Sequence, residues 1–305
     1  MDLSTDSHNL DIQAYIVHLI GFIIFFYVLL CLCIVLGPKA FKDKPHNVIF
    51  FTAHPDDECM FFIPTILHFL QQGNVVYLSC FSSGNFYGLA EVRRKELQKS
   101  CKVLGIDKEN LQILNESHFP DDPATYWDVK EVSDVMLEAV NRTQADMIVT
   151  FDSGGVSGHR NHISLYNAAR NLVETNRLNK DIKVLILETT SIFRKYLFGL
   201  DLPLSYLTAD FIMVSSVLNY LTGWRAMLKH WTQMEWFRWL YLTFSRYMFV
   251  NTLQQISKHS SKPNIQLRAT KSSENYEELE WVKTDYPERT YDEKSHNICK
   301  LYKHV

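Results

Sequence analysis

Two short stretches of this 305-residue chain carry residue types that can do hydrolytic chemistry. The first is Ala53-His54-Pro55-Asp56-Asp57-Glu58, and the second is Gly154-Gly155-Val156-Ser157-Gly158-His159-Arg160-Asn161-His162. Neighbouring carboxylates repel each other, and a cation relieves the repulsion. Across a tight turn, His54 and Asp57 can point at one ion, which leaves Asp56 free to face a water. An ion lowers the pKa of such a water, and a carboxylate can take its proton. The plainer reading is a solvated helix start, because Asp and Glu favour helix N-termini. In the second stretch the glycines permit a close loop, and His159 and His162 open a helical pattern. One of them can complete a His-Asp-His set while the other stabilises charge on a carbonyl oxygen. Three protein ligands with one open position is the arrangement of catalytic zinc. A histidine pair alone is more often a surface feature. Two stretches that converge on one rim argue for a metal site. Asp56, Asp57 and Glu58 could instead hold Mg²⁺ through oxygen alone. The nearby histidines point to Zn²⁺, with another divalent metal still open. No Walker loop or dinucleotide glycine fingerprint follows the first strand.

The elements that must position these residues alternate. Buried-strand patterns run over Asn47–Thr52, Val75–Cys80, Leu111–Leu114, Met147–Phe151 and Val184–Leu187, with Phe211–Ser215 as a further candidate. Helical patterns lie between them at about 59–72, 88–104, 127–143 and 161–177, and Gly73 and Gly105 stand where helix stops belong. Such alternation predicts an α/β fold with a mostly parallel sheet flanked by helices. Both reactive stretches then follow strands, at the carboxyl ends where such sheets bind ligands.

Between Ala14 and Leu36 there is no Asp, Glu, Lys or Arg. As a helix this stretch spans roughly 34 Å, which matches a bilayer core. A cleaved signal peptide would want a basic start and a shorter apolar run, whereas Asp2, Asp6 and Asp11 precede this one. We expect one transmembrane anchor over 14–36. Lys39, Lys42 and Lys44 follow it, so the positive-inside tendency puts residues 1–13 on the lumenal side and the rest in the cytosol. The sequons at Asn115 and Asn141 would then go unused. The six cysteines show no zinc-ribbon spacing and fit a reducing compartment. A net charge of −3 argues against a nucleic-acid partner.

Further candidates are weaker. Arg93, in Glu91–Leu97, could bind a phosphate or hydroxyls, or simply line a solvated helix face. Asn85, Asp121 and Asp122 could hydrogen-bond a sugar, or simply make turns. Trp224–Met248 reads as a helix, with Trp236, Phe237, Leu240, Tyr241, Phe244, Tyr247 and Met248 on one broad face. Glu235, Arg238, Ser245 and Arg246 fall on the other. That helix either packs on the sheet or lies in the membrane surface. Residues 257–305 are polar and are expected to be disordered.

The run AHPDDE after the first strand, with the later GHRNH, resembles the PIG-L/LmbE-type zinc deacetylases. CFSSGNFYG, RRKEL, KVLGI, FPDDP, VTFDSGGVSGHRNH, RKY, LDLPLS and FSRYM support the resemblance in order over about residues 46–250. The resemblance implies a Rossmann-like fold. Its eukaryotic branch implies hydrolysis of the acetamide of GlcNAc linked to phosphatidylinositol, the second step of glycosylphosphatidylinositol (GPI) anchor synthesis. It also implies an endoplasmic reticulum membrane with a cytosolic site. His54, Asp57 and His162 resemble the zinc ligands. Asp56 resembles the general base, and His159 the group that stabilises the oxyanion or protonates the amine. Arg93 resembles a substrate-binding arginine. His118 departs from the acidic residue that relatives often carry before Phe-Pro-Asp-Asp. The rival readings are a deacetylase of a soluble amino sugar and a membrane adaptor that has lost the chemistry.

Overall fold

The computed structural model describes residues 3–36, 47–114, 119–122 and 125–256. The chain divides into two units, 1–260 and 261–305. The second unit, the expected disordered tail from 257, His118 and the Asn115 sequon lie outside the described residues.

The N-terminal helix α1 (Leu3–Leu36) contains a stretch, Ile12–Leu32, long and apolar enough to cross a membrane, and none of it is buried against the domain. Near the end of that stretch the Tyr27 hydroxyl donates to the Leu200 carbonyl at 2.6 Å.

The domain is a seven-stranded sheet with helices packed against it. Strands β1 (Asn47–Thr52), β2 (Val75–Cys80), β3 (Leu111–Ile113), β4 (Met147–Phe151) and β5 (Lys183–Leu187) are mutually parallel. Continuous apolar runs fit strands covered on both faces: Val48, Phe50, Phe51 and the whole of β4 are buried. The crossovers are α2 (Asp57–Phe61) with α3 (Ile63–Gln71), then α4 (Ala90–Leu104), α5 (Val129–Thr143), and the one-turn α6 (Gly155–Gly158) with α7 (Arg160–Glu174). As the sequence predicts, Gly73 and Gly105 follow helices with positive φ, and Gly105 caps α4 in the left-handed region.

The strand order is β3-β2-β1-β4-β5, followed by two strands from the end of the domain. The chain winds outward from β1 in one direction and from β4 in the other. A crevice therefore opens at the carboxyl ends of β1 and β4. Both reactive stretches begin there.

The structure corrects the C-terminal part of the sequence reading. Past α8 (Ile192–Lys195) and α9 (Leu202–Thr208), β6 (Phe211–Val214) ends the sheet. The helix expected over Trp224–Met248 is instead the end of α10 (Val217–Met227), a turn at Trp231–Gln233, α11 (Trp236–Phe244) and a second turn at Arg246–Met248. A further strand, β7 (Val250–Ile256), inserts antiparallel between β5 and β6. The sequence hides it because Asn251 and Thr252 are polar yet buried. Asn251 is satisfied by Thr65 and by the Phe61 carbonyl.

Candidate metal centre and hydrolytic site

Asp57 fixes the first loop. Its Oδ2 accepts the backbone N–H groups of Ala53 and His54 at 2.8 and 2.9 Å, which closes the turn after β1. Its Oδ1 stays free of the turn and faces His162 Nε2 at 3.3 Å. Asp56, between them, sits at φ 121°, a conformation that costs a non-glycine residue about 1–3 kcal/mol. Glu58 holds it there: its Oε2 accepts the Asp56 N–H at 3.1 Å. Glu58 Oε1 is met by His230 Nε2 at 2.7 Å, Ser100 Oγ at 2.5 Å and Cys59 Sγ at 2.7 Å, all without solvent exposure. Sequence reasoning gave Glu58 no task and did not single out His230. The acidic residue next to the motif was the only signal for either.

The second loop hangs on Thr189, just after β5. Asp152 Oδ2 and Oδ1 accept from the Thr189 N–H and hydroxyl, and Thr189 Oγ1 accepts the Val156 N–H at 2.8 Å. Gly155 has φ +56°, and a Cβ there would crowd Ile163 Cγ1 at 3.0 Å and His162 Cβ at 3.1 Å, so the loop favours glycine where it closes over His162. His162 stacks on Phe151 with ring centroids 3.9 Å apart. Its Nδ1 lies 3.0 Å from the Gly155 carbonyl, which can only accept, so Nδ1 carries the proton. Nε2 is then a lone pair facing a carboxylate oxygen at 3.3 Å, buried and without a hydrogen-bond donor. An imidazole nitrogen and a carboxylate oxygen that face each other in a dry site are satisfied by a proton or by a metal cation between them.

His54 completes the arrangement. Its Nε2 lies 3.1 Å from Asn161 Oδ1 and 3.2 Å from Asp121 Oδ1, so that nitrogen donates. Its Nδ1 turns to Asp57 at 3.8 Å. Orientation of a ligand ring through its second nitrogen is usual at metal sites. His159 stands at the edge, its ring 5.2 Å from that of His54 and 5.0 Å from that of His162. The donor atoms of His54, His159 and His162 all lie within 4.8 Å of one another. Burial lowers the His54 pKa to about 4 against the pull of Asp57. Burial, with His162 and His54 alongside, lowers that of His159 to about 3. Both rings are therefore neutral near pH 7 and can bind a metal. Burial pushes the Asp57 carboxyl up, but His162 and His54 outweigh it and hold it below the usual range. Asp56 goes the other way: burial raises it, against an opposing Arg238 guanidinium 2.9 Å away.

The sequence-derived candidates divide clearly. His54, Asp56, Asp57, His159 and His162 meet, and Asp121 joins through His54. Arg93 is a brace. Its guanidinium donates to the Pro55 and Gly84 carbonyls, to Asp121 and to Gln233 Oε1, and so ties three loops and the Trp231–Gln233 turn together. Asp122 accepts from Thr125 at 2.5 Å. Asn85 is exposed, and its side chain accepts the Ala90 N–H at the start of α4. Asn161 was missed, although it lies inside the GHRNH run. Arg238, which the sequence puts on the polar face of its helix, reaches Asp56.

A family model described as PIG-L, GlcNAc-PI de-N-acetylase, matches residues 49–173. The chain is 47% identical over 203 residues to the N-acetylglucosaminyl-phosphatidylinositol de-N-acetylase of Bos taurus, covering 66% of this chain and 80% of that relative. A probable N-acetylglucosaminyl-phosphatidylinositol de-N-acetylase of Dictyostelium discoideum is 37% identical over 240 residues, covering 69% and 93%. Among solved structures, the N,N'-diacetylchitobiose deacetylase from Pyrococcus horikoshii superposes with a TM-score of 0.54 at 18% identity, covering 79% of this chain and 96% of that one. At that identity the likeness concerns the fold: a mostly parallel sheet flanked by helices.

Proposed function

Because the chain belongs to the PIG-L family of de-N-acetylases, we propose that it hydrolyses the N-acetyl group of GlcNAc linked to phosphatidylinositol. The products are acetate and the free amino sugar still joined to its lipid, the second step of GPI-anchor synthesis. The observation that carries this reading is the pair of facing acceptors, Asp57 Oδ1 and His162 Nε2, with His54 Nδ1 beside them and a buried carboxylate next in the chain. His54, Asp57 and His162 would hold a divalent ion, and two nitrogen donors favour zinc over magnesium. Such an ion would supply Lewis acidity to the amide carbonyl and to a water.

The chain's own groups do the rest. Asp56, whose carboxyl is raised by burial, is placed to accept a proton from the attacking water. His159, at the rim, faces the position where the carbonyl oxygen gains charge and where the departing nitrogen needs a proton. Asp121 and Asn161 fix the His54 ring, and Arg93 fixes the loops. The apolar α1 supports a membrane-anchored enzyme, and the lysines after it support a cytosolic site at the endoplasmic reticulum.

The test is a deacetylation assay on GlcNAc-phosphatidylinositol with the full chain. Chelation should abolish acetate release, and Zn²⁺ add-back should restore it. Turnover that survives complete metal removal would sink the metal reading. Turnover confined to soluble amino sugars would sink the lipid substrate.

A further inference from the structure

We infer that Lys195 and Arg238 form a seat for the phosphodiester of the substrate and set a preference for phosphorylated over unphosphorylated glycoinositol; this rests on the substrate class proposed above. Lys195 ends the short helix α8 and is half-buried, with its ammonium 5.5 Å from the Tyr241 ring. Among the described residues it makes no ion pair with a carboxylate, and its electrostatic neighbour is the Arg238 guanidinium. Arg238 lies on α11, one turn before Tyr241, and pairs with Asp56. Arg238 thus has one carboxylate and Lys195 has none, so positive charge is in excess in a partly dry place, which an added anion would relieve.

Nearby arginines are already committed. Arg93 serves the loop carbonyls, Asp121 and Gln233. Arg194 and Arg246 both close on Asp201 at 2.6 Å. Arg238 has Asp56 as its partner, and Lys195, beside it, meets no carboxylate among the described residues.

The position fits the connectivity of the substrate. On one side, Arg238 touches Asp56 and so adjoins the centre where the acetamide reacts. On the other, α8 turns Ile192 and Phe193 outward, Phe193 being 82% exposed. A few residues on, Leu200 receives the Tyr27 hydroxyl near the end of the apolar span. From the centre outward the surface therefore reads carboxylate and histidines, then two cations, then apolar side chains beside a candidate membrane helix. A glycosylated phosphoinositide reads sugar, phosphate, acyl chain in the same order. A diester is the shared chemistry of the lipid headgroup and its soluble fragment, and a free phosphate would satisfy charge without that order.

The experiment uses the full chain in detergent. The kcat and KM are measured on GlcNAc-phosphatidylinositol and on GlcNAc-inositol. Binding of glycerophosphoinositol, inositol and inorganic phosphate is measured by calorimetry. Loss of a charge-assisted contact should lower the preference for the phosphorylated substrate about tenfold in Lys195→Gln. The change should appear mainly in KM, with glycerophosphoinositol binding weakened in step and both recovered in Lys195→Arg. An unchanged preference ratio, or equal binding of inorganic phosphate and the diester, overturns the seat. Diester binding that depends on Lys195, in a wild-type protein with no turnover, keeps the seat and overturns the proposed reaction instead.

Discussion

Asp57 divides its two oxygens between structure and chemistry: one closes the turn after β1, and the other faces His162. The carboxyl of its neighbour Asp56 closes no turn and pairs with Arg238, and the proposed reaction gives it the proton of the water. We expect Asp56→Asn to lower turnover by about 10²–10⁴-fold while bound metal stays stoichiometric. Acetate release and elemental analysis on the same sample decide it, and full turnover would remove Asp56 from the mechanism. The depressed histidines give a second expectation, for the metal-free protein. Unfolded histidine titrates near 6.5, whereas His54 and His159 hold out to about 4 and about 3 when folded. Between those values the unfolded chain binds protons that the folded chain refuses. Stability therefore falls as pH drops from about 6.5 toward 4. Urea midpoints of chelator-treated protein should show that slope, and His159→Asn should reduce it to the part that His54 contributes. A flat profile would mean that the rings are not buried neutral.

At the scale of elements, two devices hold the loops in place. Glu58 and His230 form a buried ion pair that joins α2 to the turn at Trp231–Gln233. Burial opposes both charges, but His230 still holds Glu58 low and Glu58 holds His230 high. Removing one partner strands the other, so His230→Ala should destabilise the domain by about 3–5 kcal/mol in denaturant unfolding. A loss below about 1 kcal/mol would show the pair to be incidental. Gly84 is the second device. It has φ +75°, and a Cβ there would lie 2.4 Å from the Arg93 guanidinium carbon. The helix α11 shows where periodicity misleads. Its apolar face, expected either to pack on the sheet or to lie in the membrane surface, is largely exposed: Trp236 is 70% exposed, and Leu240 and Phe244 are exposed too. Arg238, on the opposite face, turns in and meets Asp56. Tyr241 and Leu242 do the burying. A helical wheel counts apolar residues but carries no information about a carboxylate from another loop.

For the molecule as a whole, α1 and the outward side chains of α8, α9 and α11 lie on elements joined through the Tyr27–Leu200 contact and the Phe198–Tyr220–Trp224–Trp239 ring series. We expect the chain to stay in the membrane under alkaline carbonate. With a cytosolic domain, Asn141 on α5 should remain unglycosylated, and an endoglycosidase-sensitive shift would reverse the orientation. The parallel strands, their crossover helices, the long apolar N-terminal helix and the meeting of His54, Asp57 and His162 were all readable from the chain. Each rests on short-range pattern: apolar runs, glycine stops and reactive residues directly after a strand. Strand β7, the break in the 224–248 helix and the Glu58–His230 pair were not readable. They depend on partners far away in sequence, such as Asn251 satisfied by Thr65 and Phe61. By itself the sequence pointed to the two stretches with reactive residue types and put both at the carboxyl ends of strands. Only the tertiary structure decided which histidine nitrogens meet carboxylates and carbonyls, that Arg93 braces the loops, and that Arg238 reaches Asp56. Those outcomes follow from burial and from the pairing of distant charges, which no local spacing encodes.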